Sequence, residues 1–77
     1  MKRDRSEPLQ QRFGAAVRAR RQALGISQEE LASRAGVHRT YVGDIERGLR
    51  NVSLKNIHRL AAGLGCRASE LLADAGD

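Results

Sequence analysis

Cysteine, proline and aromatic residues are nearly missing from this sequence: its 77 residues contain one Cys, one Pro, one Phe, one Tyr and no Trp. A lone Cys66 closes no intrachain disulfide, so the fold lacks a covalent staple and suits a reducing compartment, with the cytoplasm as the expected location. With Phe13 and Tyr41 as the only aromatic β-formers, a sheet is disfavoured. No run approaches the roughly 18 apolar residues of a membrane span. The opening MKRDRSEPLQ is charged where a signal peptide needs an apolar stretch, so neither export nor membrane association is expected.

What is present suits one small folded module. A second domain or a deep multilayer active site is excluded at this length, and no room for a ligand-sensing domain is expected. Hydrophobic residues make up 40% of the chain, enough to offset the ordering entropy of folding, and the formal net charge is +5. Residues 1–25 hold seven basic and two acidic side chains, whereas residues 26–77 hold seven of each, so the first third carries the whole surplus.

Residues 1–7 lack apolar periodicity and read as a flexible basic arm carrying Lys2, Arg3 and Arg5; residues 8–77 form the domain. Pro8 suits a first helical turn, and Leu9, Phe13, Val17 and Leu24 follow at helical spacing until Gly25. Ser27 and Glu30 then form a capping box, with Ile26 and Leu31 as its hydrophobic staple. The short second helix offers Ala32 and Ala35 for close packing and ends at Gly36. Val37 and His38 make a turn, and Arg39 to Arg47 a third helix with Val42 and Ile45 inward, closed by Gly48. Ser53 caps a fourth helix bearing Leu54, Ile57, Leu60 and Ala61 that ends at Gly63 or Gly65; a fifth, about 68–74, presents Leu71 and Leu72. The expected fold is all-α, a compact bundle of five helices.

A strongly capped short helix, a turn with glycine, and a second short helix with polar and basic residues outward define a helix-turn-helix. Ser27-Gln28-Glu29-Glu30-Leu31-Ala32-Ser33-Arg34-Ala35-Gly36-Val37-His38-Arg39-Thr40-Tyr41-Val42-Gly43-Asp44-Ile45-Glu46-Arg47-Gly48 resembles the Cro/C1-type (XRE) family of phage repressors and small bacterial regulators, from about Phe13 to Leu72. The resemblance implies a lambda-repressor-like fold and a sequence-specific transcriptional regulator. Within the family, Arg39 to Arg47 followed by Arg50-Asn51-Val52-Ser53-Leu54 looks most like the controller proteins of restriction-modification systems, stand-alone dimers that bind their own promoter region. An antitoxin-type interaction module and a phage-type repressor stay open as alternatives.

On such a fold the third helix enters the major groove with its amino end against base edges. Arg39 can fork onto guanine, Thr40 can donate to a base or touch a thymine methyl, and Asp44 can accept from a cytosine amine or instead orient Arg39 or Arg47. On an isolated helix Arg39 would be an ordinary solvated charge. Ser27 and Gln28 start the second helix, whose free N–H groups favour a phosphate, while Ser27 also caps. Tyr41 either packs or places its hydroxyl on the DNA backbone, and Arg47, Asn51 and Lys55 flank it. The controller-like pattern places Arg50 to reach a base, and the family resemblance implies an architectural ion pair between Arg21 and Glu46.

Other chemistries are poorly served. His38, His58 and Cys66 lack zinc-ligand spacing, no carboxylate cluster suggests a metal, and no Gly-rich loop follows a strand; no cofactor and no enzymatic activity are expected. The first helix, rich in arginine, could pass for a membrane-surface amphipath, but its Leu9, Phe13 and Val17 face is needed for the core. Leu64, Leu71 and Leu72 exceed what so small a core should hide, which suggests a symmetric dimer through the carboxy-terminal helices. The expected partners are double-stranded DNA with a pseudo-palindromic operator, a second copy of the chain, and RNA polymerase, occluded or recruited according to operator position. Whether the basic arm enters a minor groove, as basic arms can, stays open.

Overall fold

A computed structural model describes residues 7–76, so the arm residues Lys2, Arg3 and Arg5 lie outside it. Five helices follow in order: α1 Leu9–Ala23, α2 Gln28–Ala35, α3 Arg39–Glu46, α4 Leu54–Leu64 and α5 Ala68–Asp74. No strand occurs among the described residues, and the body measures 31 × 21 × 21 Å. No helix there is long and apolar enough to cross a membrane.

Local chemistry sets each boundary. Ser27 Oγ accepts from the Glu30 N–H at 3.0 Å, and Ser53 Oγ accepts from the Asn56 N–H at 3.2 Å, so each hydroxyl satisfies one donor that its helix leaves unpaired. The reciprocal half of the expected Ser27 box is absent, because the Glu30 carboxylate accepts from Arg34 Nε one turn along instead. Gly36 ends α2 at φ +70°, a left-handed geometry that disfavours any side chain, and the Val37 N–H returns to the Ala32 carbonyl at 3.0 Å. This closure turns the chain sharply from α2 into α3. His38 does not merely fill the turn: its Nδ1 accepts from the Thr40 N–H at 3.1 Å and caps α3. Pro8 likewise stands at the cap position of α1 rather than inside it. Of the two candidate ends of α4, Gly65 is the cap, while Gly63 is buried against Leu31, Arg34 and Ala35 of α2.

Every helix contributes to one core. Val17, Leu31, Val42, Ile45, Leu60 and Leu71 are fully buried, each side chain contributing about 1.5–3 kcal/mol through the water it sheds. The helix-turn-helix is clasped from two sides: α4 packs along α2, and α1 crosses α3. The α1–α3 crossing depends on Gly14, because a Cβ there would lie 2.1 Å from the Ile45 carbonyl oxygen. Two leucines of the expected α1 stripe do not join the core. Leu9 lies in the first turn and Leu24 just past the last, and both stay about half exposed.

The structure also corrects the surplus of carboxy-terminal leucines. Leu64 and Leu71 are buried within the single chain, because α5 folds back against α1 and α4, so neither is available to a second copy. Only Leu72 stays partly exposed, at the edge of a small apolar groove with Leu9, Phe13, Val52 and Ile57. Arg12 and Arg20 hold α5 in place: Arg12 Nε donates to the Ala75 carbonyl at 2.8 Å, and Arg20 forms an ion pair with Asp74. The Asp74 hydrogen bond raises the Arg20 pKa above its ordinary value.

Candidate nucleic-acid interface

The outer face of the helix-turn-helix carries most of the residues singled out in the sequence. Arg39 and Thr40 begin α3 and are exposed, with Arg39 making one long contact, 3.8 Å, to Glu29. Arg47 and Arg50 follow at the far end of the helix, and Asn51 and Lys55 lie exposed beyond it. Ser27 is exposed at the amino end of α2, where the remaining free N–H groups and the positive dipole end favour an anion. Helix α3 is eight residues long with exposed residues at both ends, a size that suits a major groove.

Beneath that face lies a polar buttress. Arg21 Nε and Nη2 grip the Glu46 carboxylate at 2.7 and 3.0 Å, and the Glu46 side chain is only 3% exposed. Arg21 Nη1 also donates to the Ile26 carbonyl at 3.0 Å, tying α1 to the approach into α2. The hydrogen bond to Glu46 raises the Arg21 pKa further. Gln28 points partly inward: its Nε2 donates to Glu46 Oε1 at 3.1 Å, and its carbonyl end faces the buried Gly43. One carboxylate at the end of α3 therefore ties α3 to both α1 and α2.

Two links on the outer face were not visible in the sequence. Tyr41 is half-buried, and its Oη accepts from Asn56 Nδ2 at 3.0 Å, fixing the ring between α3 and α4. The Arg50 guanidinium lies 5.3 Å from the centre of that ring, within range of a cation–π attraction. Tyr41 thus packs while keeping its hydroxyl at a polar boundary. Asp44 engages Arg47 and Arg50, not Arg39. No residue signal marked Asn56, whose pairing spans two helices.

The basic surplus near the amino end is not a binding patch as a whole. Arg12, Arg20 and Arg21 have intramolecular partners at the end of α5 and in α3, so three of its cations serve the fold. Cys66 is half-buried, and that burial pushes its thiol pKa up, away from the reactive thiolate. Among the described residues no group of three or more His, Cys, Asp or Glu could hold a metal ion.

The fold and this surface define a helix-turn-helix protein. The helix-turn-helix family profile matches residues 17–71, most of the chain, and the chain belongs to that Cro/C1-type family of DNA-binding transcriptional regulators, with a regulatory rather than enzymatic role. Control protein C.BamHI of Bacillus amyloliquefaciens is 49% identical over 61 residues, covering 78% of this chain and 75% of its own. Control protein C.MunI of Mycoplasma sp is 44% identical over 64 residues, 82% of this chain and 86% of its own. The crystal structure of the restriction-modification controller protein C.AhdI from Aeromonas hydrophila is similar with a TM-score of 0.79 at 50% identity, covering 80% of this chain and 94% of that one.

Proposed function

We propose that the protein is a controller-type regulator of a restriction-modification operon, binding a pseudo-palindromic operator as a homodimer. The observation that carries this reading is the start of α3: Arg39 and Thr40 are exposed and adjacent on a helix locked in place by the Arg21–Glu46 pair. An Arg fork and a neighbouring hydroxyl can read base edges only if the helix presenting them is held still. The similarity to controller proteins over about four-fifths of the chain supports the operon assignment.

On this reading Arg39, Thr40 and Arg50 contact bases, while Ser27, Gln28, Tyr41, Arg47, Asn51 and Lys55 contact or face the phosphate backbone. One short helix offers limited affinity, so two copies would bind half-sites roughly one DNA turn apart. With Leu64 and Leu71 buried in the core, Leu72 is the one residue of the expected carboxy-terminal set left partly exposed for contact with a second copy. The protein would act in the cytoplasm, by occluding or recruiting RNA polymerase according to operator position.

The test is selection of bound duplexes from a random pool, followed by salt titration of the selected duplex against a scrambled one, with sedimentation giving the oligomeric state. A pseudo-palindromic winner bound by a dimer is the expected result; binding that vanishes with salt for every sequence alike would overturn the reading. Arg39→Ala should cost about 1–3 kcal/mol on the selected duplex and relax preference at one position, while Lys55→Ala should weaken all sequences equally and lower the salt slope by about 1. Equal losses on both duplexes for Arg39→Ala would remove its base-reading role.

A further inference from the structure

Asp44 is a carboxylate in a place that disfavours one. It lies in the last turn of α3, at the negative end of the helix dipole, and on the face that meets an anionic polymer. Neither helix stability nor affinity for DNA accounts for it. Its partners do. Oδ1 accepts from Arg47 Nη2 at 2.6 Å, and Oδ2 accepts from Arg50 Nε at 3.3 Å. The Asp44 side chain is 18% exposed, against 65% for Arg47 and 51% for Arg50, so the anion sits beneath two outward cations. Arg50 is also held by the Tyr41 ring, which Asn56 anchors to α4. One carboxylate thus engages two of the cations that the proposed function assigns to DNA.

We infer that Asp44 is a specificity-determining positioning residue: an internal competitor that withholds Arg47 and Arg50 from phosphates. Phosphates are present on every sequence, whereas acceptors matching Arg39 and Thr40 occur only on the right bases. Holding two arginines on an internal anion weakens the sequence-independent contribution and leaves the base reading by Arg39 and Thr40 intact. The ratio between operator and random DNA, which governs occupancy in a genome full of competing sites, therefore widens. Arg50, gripped by Asp44 and seated on Tyr41, is kept near one geometry rather than sweeping over neighbouring phosphates. This inference rests on DNA binding through α3 as proposed above.

The experiment uses the full chain with Asp44→Asn, which keeps the side-chain shape and removes the charge, titrated with the selected and scrambled duplexes between 50 and 200 mM salt. The expected result is a roughly five- to tenfold rise in affinity for the scrambled duplex, a salt slope steeper by about 0.9 to 1.8 as one or two more phosphates are neutralised, and a smaller selected-to-scrambled ratio. In an Arg47→Ala, Arg50→Ala background the same substitution should change neither affinity nor slope. A rise that persists there would mean simple repulsion between Asp44 and DNA, and would overturn the inference. So would unchanged scrambled affinity with lost preference at one base pair, the mark of direct cytosine reading. A lowered melting temperature with an unchanged ratio would reduce Asp44 to a structural role and equally overturn it. A wild-type protein that binds both duplexes alike overturns the proposed function instead, and the scrambled-duplex arm still shows whether Asp44 restrains the two arginines.

Discussion

Glu46→Ala is expected to remove about 3–5 kcal/mol of stability and to shift the denaturation midpoint well below that of the wild type. The carboxylate is buried and receives three hydrogen bonds, two from Arg21 and one from Gln28. Its removal strands the Arg21 guanidinium, whose side chain is 13% exposed, in a site built to neutralise it. Losing one partner of a buried pair costs about 3–5 kcal/mol, because the remaining charge stays desolvated. A chain of this length has about 4–12 kcal/mol of total stability, so the loss takes a large share of it. Replacing both partners, with Arg21→Met and Glu46→Leu together, should recover most of the stability, since no orphaned charge is left. Chemical denaturation of the two variants checks this, and an unshifted midpoint for Glu46→Ala would show that the pair is not a keystone.

Gly14→Ala should lower the melting temperature by about 8–16 °C, taking about 2 kcal/mol net and 4–8 °C per kcal/mol for a domain of this size. The expected sign runs against helix propensity, which favours Ala over Gly by about 1 kcal/mol in a helix interior. Steric contact outweighs it. The added methyl would lie 2.1 Å from the Ile45 carbonyl and 3.0 Å from that of Glu46, and both are backbone atoms that cannot swing aside. The only relief is to push α1 away from α3, which also pulls Arg21 from Glu46. A melting temperature at or above that of the wild type would contradict the close crossing.

Five helices and the helix-turn-helix were readable because their signals are local. Ser27, Gly36 and Ser53 act on backbone groups within a few residues, so their meaning does not wait on tertiary structure. What was not readable depends on distant partners. Arg12 and Arg20 look like any cations on an amphipathic helix until α5 arrives with Ala75 and Asp74, more than fifty residues away. Leu64 and Leu71 looked surplus because a list of apolar residues does not say that α5 turns back onto α1. Gly14 carries no signal of its role, since nothing around it in the sequence names the backbone that crosses there. The candidate site residues could be named from the sequence by type and position, whereas the Asp44, Arg50, Tyr41 and Asn56 links needed α3 and α4 placed side by side.

The grip of Arg12 has a topological consequence. Its Nη1 donates to the Glu7 carbonyl at 2.7 Å while its Nε holds that of Ala75, so one guanidinium spans both ends of the folded body. A short peptide bridge between those ends would follow a path the fold already provides. New termini could then open in the exposed Leu49–Asn51 connector, making a circular permutant in which α4 and α5 precede α1 and the helix-turn-helix comes last.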